Sequence, residues 1–322
     1  MAHVHHHGHG HHHHHGAHAH GAKTGKVLIA SLVVTILFVA TEAIAGWWSG
    51  SLALLSDAGH NFTDAFGLVL AATAYSLDAK PGDQFKTFGY QRTGVLAAFV
   101  NALMLVVLSV FLIWESIQRL RAPEPVNDDI MMIVAGIGLA VNLGIAWGLG
   151  GHGNDLNLRA AFLHQIGDAA SCVGIIAGAV VIHFTGWLMI DPILSLVMSL
   201  VIIWTAWDIF KDSLNILLEG LPKGMNLSEV TGEIRRVSRV GDVHDLHIWS
   251  LGSDARALSC HLVIQDMPTS ESELILKDVN AMLGARFDIH HTTIQFEHQR
   301  CAVADACAGG AKIEMAQDVH SH

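Results

Sequence analysis

The sequence predicts an all-α membrane domain of six transmembrane helices followed by a small cytoplasmic α+β domain. Three observations lead there. Of 322 residues, 51% are hydrophobic and only 15% charged, a balance too apolar for an ordinary soluble domain. Six apolar runs occupy approximately residues 27–48, 51–77, 93–117, 130–149, 158–183 and 191–210, each reaching the roughly 20 residues that a membrane helix requires. After Lys211 the texture changes to mixed polar segments whose hydrophobic period alternates between that of strands and that of helices.

Six spans put both termini on one side. Lys23, Lys26, Lys80, Lys86, Arg92, Arg159, Lys211 and Lys223 flank one face, against Arg119 and Arg121 on the other. By the positive-inside rule the N-terminus and the C-terminal region are cytoplasmic. The first segment, residues 1–22, holds 12 of the chain's 24 histidines and lacks the basic and apolar regions of a cleaved signal peptide. Its Gly, Ala and Val interruptions argue for a natural tract rather than a purification tag. It has too little apolar content to bury a core, so it is expected to be a disordered arm whose neutral imidazoles capture borderline divalent ions.

The spans fill residues 23–212. In 213–298, LPKGMNLSEVTGEIRRVSRV reads as a linker and an amphipathic helix capped at Asn226 or Ser228. VHDLHIWSL and ALSCHLVIQ alternate like strands around the turn GSDAR, SESELILKDVNAMLGARF returns to a helical period, and HTTIQFEH is a third strand. The order αββαβ predicts a sheet with one face covered by helices. Residues 299–322 read as a flexible tail. A net charge of −11 with no sustained Lys/Arg run excludes nucleic acid as a partner. Cysteines 172, 260, 301 and 307 form no disulfide framework, which fits a reduced, cytoplasm-facing protein.

The chemistry is concentrated in LLSDAGHNFTDAFGLVL and RAAFLHQIGDAASCVGIIAG. Each holds His-x-x-x-Asp: His60 with Asp64, and His164 with Asp168. On a helix such a pair stands one turn apart on one face. A carboxylate at mid-bilayer costs roughly 2.5–3.5 kcal/mol even on the lenient insertion scale, so two of them call for a compensating cation or proton. The same faces continue through the small residues Gly67, Ala71 and Ser171, and Ala170, Gly174 and Gly178 recur at four-residue intervals, so another helix can approach closely. Two imidazole nitrogens and two carboxylate oxygens suit tetrahedral Zn²⁺, with Co²⁺ or Cd²⁺ as substitutes. The alternative, four unrelated polar residues joining helices, has to account for the same spacing twice. Asp57, one turn before His60, and Glu42, Asn101 and Asn142 fit either a supporting role or plain helix–helix hydrogen bonding.

SDAGHNFTD, FGYQR, HQIGD, LNILLEGLP, VHDLHIWSL, CHLVI and TIQFE, in this order after six spans, resemble the cation diffusion facilitator family, in particular its bacterial zinc, cobalt and cadmium efflux branch. The resemblance runs from about Lys23 to Glu297. It implies a homodimeric metal/proton antiporter of the inner membrane with a cytoplasmic ferredoxin-like domain, not an enzyme, whose transport ligands are His60, Asp64, His164 and Asp168. It also implies zinc binding by His244, His261 and Glu297. Their chemistry agrees, since His261 and Glu297 alternate away from Leu262, Ile264, Ile294 and Phe296. His290 and the tail thiol Cys301 are candidates to complete that sphere, while His244 and His247 as ordinary sheet histidines is the alternative. Arg92 and Glu219 resemble the charge interlock of some family dimers. The accessory loop site of some members is not expected, because Lys86 and Tyr90 stand where histidines would accompany Asp83.

The function expected is therefore efflux of a divalent cation, zinc foremost, exchanged for protons by alternating access around the quartet. A membrane-anchored metal sensor or buffer is the alternative. His152, His183, His320 and His322 are expected to be solvated or incidental.

Overall fold

The computed structural model describes the backbone of residues 17–149, 156–252 and 255–299, and side chains within 33–149, 159–252 and 255–299. Most of the histidine-rich arm, the loop with His152, and the tail with Cys301, His320 and His322 lie outside the described residues. Six long helices come first: α1 (Ala17–Ser49), α2 (Leu52–Asp78), α3 (Thr93–Arg121), α4 (Asp128–Leu149), α5 (Leu156–Thr185) and α6 (Ile190–Leu217). Then follow α7 (Leu227–Arg236), β1 (Val240–Ser250), β2 (Arg256–Ile264), α8 (Thr269–Phe287) and β3 (His291–Glu297). Helix α1 reaches back to Ala17, so residues 17–22, expected in the disordered arm, are helical.

Among the described residues four helices, Thr93–Arg121, Asp128–Leu149, Arg159–Thr185 and Ile190–Leu217, are long and apolar enough to cross a membrane. Helix α2 is as long, but Asp57, His60 and Asp64 dilute its apolar run. Apolar side chains stand outward along these helices, with Leu37, Val107 and Trp204 all largely exposed, as lipid contact demands.

The chain divides into two compact units, Met1–Ala65 with Val107–Ile202 and Phe66–Val106 with Ile203–His322. The expectation from the sequence is a membrane domain over 23–212 and a cytoplasmic domain over 213–298. Inside the second unit, Phe99 of α3 stacks on Phe210 of α6 at 5.4 Å, and the Gln91 carbonyl closes to 2.7 Å from where a Cβ on Gly252 would sit. Phe99 thus joins α3 to α6, and Gln91, just before α3, lies against Gly252 just after β1.

In the first unit α5 packs chiefly on α4, around Met131, Val134, Ala135, Ile175 and Ala179. Gly138 is required there, because a Cβ would approach Phe38 Cζ to 2.6 Å. The start of α2 is held by Asp191 of α6, which is fully buried and accepts from Ser51 Oγ at 2.6 Å, Leu52 N at 2.7 Å and Ala53 N at 3.2 Å. The first amides of a helix have no intrahelical acceptor, and an anion at that end also meets the helix dipole favourably. One turn on, the hydroxyls of Ser56 and Ser195 lie 2.6 Å apart.

In the second unit the sheet runs β1-β2-β3, antiparallel then parallel. Leu258, Cys260, Leu262 and Ile264 of β2 are buried with Ile275, Val279 and Leu283 of α8 and Val230 and Ile234 of α7. Period-two alternation therefore leaves His261 on the other face. Asn226 is the cap of α7, accepting from Ser228 N at 2.9 Å. Burial pushes the Cys260 thiol up to about 12, with Asp245 adding to the shift; this cysteine is a core residue.

Candidate metal centres

Helices α2 and α5 bring the four predicted ligands of the first unit together. His60 Nε2 lies 3.5 Å from Asp64 Oδ2 and 3.7 Å from Asp168 Oδ1, and His164 Nε2 lies 3.1 Å from Asp64 Oδ2 and 3.6 Å from Asp168 Oδ2. The result is a ring in which histidine and aspartate alternate, with the imidazole centroids 6.0 Å apart. Bonds of about 2.0–2.2 Å in a tetrahedron place donor atoms roughly 3.3–3.6 Å apart, and all four His–Asp edges fall within a few tenths of an ångström of that range. The other ring nitrogen of His60, Nδ1, is buried without a hydrogen bond. Sequence reasoning missed Gln165, whose Nε2 donates to Asp168 Oδ2 at 3.5 Å; its place three residues before Asp168 was the available signal.

Beside the ring, Asp57 has partners of its own. Asn61 Nδ2 donates to Asp57 Oδ2 and to Glu42 Oε2, each at 3.5 Å, and Cys172 Sγ donates to Asp57 Oδ2 at 3.8 Å. Asn142 Nδ2 in turn donates to Cys172 Sγ at 3.7 Å. Asn101 belongs to the second unit, with its Oδ1 2.6 Å from where a Cβ on Gly67 would lie. His183, expected to be solvated, pairs through Nδ1 with Asp128 Oδ2 at 2.7 Å, next to Asp129.

The second cluster is His244, His261 and Glu297, whose donor atoms all lie within 4.8 Å of one another. His244 and His261 are direct cross-strand partners of β1 and β2, with ring centroids 5.2 Å apart. Glu297 Oε2 lies 3.2 Å from His244 Nε2, and its Oε1 lies 3.0 Å from His261 Nδ1. Both nitrogens of the buried His244 lack a hydrogen bond, a cost that a cation would relieve. Asp245, which sequence reasoning missed, sits in a left-handed conformation (φ 50°) where the β1 register breaks between His244 and His247, and its carboxylate reaches both His247 (3.1 Å) and His261 (3.7 Å).

His290 does not join this cluster within one protomer. It precedes β3, whereas Glu297 ends it, and seven residues of strand span about 23 Å; His290 Nε2 pairs instead with Asp288 Oδ1 at 3.0 Å. Arg92 Nη2 does meet Glu219 Oε1 at 3.0 Å, with side chains 37% and 63% exposed. In the loop after α2, Asp83 Oδ1 accepts from the amides of Lys86 and Phe85, each at 2.7 Å, and these bonds hold its carboxyl below the usual range. The ammonium of Lys86 lies 5.8 Å from the Tyr90 ring centroid.

Residues 28–218 match the family described as cation efflux transmembrane domain, and residues 222–299 match cation efflux protein, cytoplasmic domain. The chain belongs to the cation diffusion facilitators, in their zinc, cobalt and cadmium efflux branch. The cadmium, cobalt and zinc/H(+)-K(+) antiporter of Bacillus subtilis (strain 168) is 39% identical over 92% of this chain and 96% of its own. The zinc transporter ZitB of Escherichia coli (strain K12) is 40% identical over 85% and 88%, and the metal cation efflux system protein CzcD of Cupriavidus metallidurans 38% over 89% and 91%. In this facilitator both His-x-x-x-Asp pairs fall in the transmembrane match, and His244, His261 and Glu297 fall in the cytoplasmic one.

Proposed function

We propose that the protein exports divalent cations from the cytoplasm in exchange for protons, with Zn²⁺ the main cargo and Co²⁺ and Cd²⁺ accepted. The single observation that carries this reading is the ring of alternating histidine and aspartate donors on α2 and α5. Relatives named as zinc transporters and as a cadmium, cobalt and zinc antiporter support it. Two nitrogens with two carboxylate oxygens match zinc in number and type of donor. Imidazole, with a reference pKa near 6.5, must be neutral to coordinate, so cargo and protons compete for the same lone pairs. Metal loading from the cytoplasm expels protons, and protonation from outside releases the metal, as the ring opens alternately to each side.

In this reading α1 to α6 all cross the inner membrane with both termini cytoplasmic, the αββαβ domain is ferredoxin-like, and two copies form the working unit. His244, His261 and Glu297 hold a regulatory zinc, for which the buried, unbonded nitrogens of His244 and the flanking carboxylates are suited. The test is zinc uptake into proteoliposomes under an imposed pH gradient, with lumenal pH followed in parallel. Metal uptake coupled to opposite proton movement is expected. Metal binding without gradient-driven flux would leave only a membrane-anchored sensor or buffer.

A further inference from the structure

The membrane part of the first unit buries two carboxyl groups that the metal ring does not use. Glu42 of α1 is 0% exposed and Asp57 of α2 is 1% exposed. Their carboxylates converge on one nitrogen, Asn61 Nδ2, which lies 3.5 Å from Glu42 Oε2 and 3.5 Å from Asp57 Oδ2, and the remaining oxygens, Glu42 Oε1 and Asp57 Oδ1, are buried with no protein donor. Two carboxylates cannot donate to each other; a carboxylic acid and a carboxylate can. Two buried like charges in contact are also prohibitively unfavourable, which is why paired acids share a proton. The single amide of Asn61 bridges both groups at 3.5 Å. The other titratable groups acting on the pair are Asp168 and Cys172 of α5 and His60 of α2. Asp168 adds repulsion to any second negative charge.

We infer that Glu42 and Asp57 form a proton-binding site separate from the metal ring, holding one shared proton when the ring is empty of cargo. Gain of a proton leaves two acids, loss leaves two carboxylates, and no other bond changes. The pair lies toward the α1–α2 turn from the ring, since Asp57 precedes His60 by three residues, about 4.5 Å of helix rise. A divalent cation in the ring favours the doubly ionised pair, and its departure favours the shared proton. The pair thereby supplies a proton to the exchange without occupying a metal-ligating lone pair. This coupling rests on the transport reading above, whereas the shared proton itself does not.

The experiment is infrared difference spectroscopy on the full-length protein in liposomes, with and without Zn²⁺, in H₂O and D₂O at neutral pH. An isotope-sensitive carboxylic acid C=O band is expected without zinc, diminished on zinc addition, retained in Asp168→Asn and absent from Glu42→Gln/Asp57→Asn. In the same double variant the protons released per zinc bound should fall by about one. No acid band in the unmodified protein, a band persisting in the double variant, or an unchanged proton count in that variant would each overturn the inference. The unmodified protein alone decides the first point if the variant does not insert. An acid band in a protein that moves no metal would sink the transport reading and leave the proton site standing.

Discussion

Replacing Asp168 by Asn tests the ring at its most buried member. The side chain of Asp168 is 7% exposed, and its two oxygens face the two histidines, Oδ1 toward His60 and Oδ2 toward His164. Asparagine keeps the shape and one oxygen but removes the negative charge and turns a nitrogen toward one imidazole. Removing one partner of a buried ionic contact typically costs about 3–5 kcal/mol. A loss of that size is roughly 150- to 5,000-fold in zinc affinity. Transport at a zinc concentration near the unmodified protein's half-saturation should therefore become undetectable, with only partial recovery at the highest zinc. Because one titrating group is gone, the remaining binding should also depend less steeply on pH. Zinc titration calorimetry on detergent-solubilised protein reads the affinity and proteoliposome uptake reads the flux. The His244 cluster must be disabled in parallel, for instance by His261→Ala, so that its zinc is not counted. A variant that is folded, inserted and within tenfold of the unmodified affinity would refute the assignment of Asp168 as a ligand.

Replacing His261 by Ala should lower zinc bound per protomer by about one and shift the metal dependence of transport while leaving measurable flux; unchanged stoichiometry by elemental analysis removes that site. Arg92→Glu and Glu219→Arg should each lower activity modestly, since an exposed pair contributes about 0.2–1 kcal/mol, and the double swap should restore part of it; strictly additive losses would mean the pair has no functional role. Asp191→Ala strips three hydrogen bonds from the start of α2 and should destabilise the detergent-solubilised protein by about 1–3 kcal/mol, read as a lowered Tm, with Asp191→Asn less affected. Isotopic zinc exchange should be biphasic, the fast phase lost in Asp168→Asn and the slow phase in His261→Ala; the opposite assignment would contradict the roles given to the two clusters.

The ring was legible in the sequence because of helical geometry: an i, i+4 pair shares a face whatever the surrounding packing, and plain helix–helix hydrogen bonding gives no reason for the same pair to recur in two apolar runs. His261 was legible for the analogous reason in strands. Glu42 and Asp57 were visible as residues but not as a pair, since their contact depends on how α1 meets α2, which no local period encodes. Asp245 was hidden by the register break in β1, where strict alternation fails. His290 was misplaced because seven positions in sequence became most of a strand's length in space.

The two clusters differ in what holds their donors, a difference that fits the cargo and regulatory roles proposed for them. His244 and His261 are carried by the β1–β2 ladder, and Glu297 comes from β3 beside it, so their backbones cannot separate without breaking strand hydrogen bonds. The ring draws its donors from two helices, each internally hydrogen-bonded, and α5 packs chiefly on α4 rather than on α2. Moving α2 against α5 would therefore separate His60 and Asp64 from His164 and Asp168 without breaking any backbone hydrogen bond. Asp191 and the Ser56–Ser195 contact fasten the start of α2 to α6, so such a movement would carry α2 and the start of α6 together. A transported ion needs a site that can be taken apart within a transport cycle, and a sensed ion needs one that persists. The helical ring meets the first requirement and the strand cluster the second.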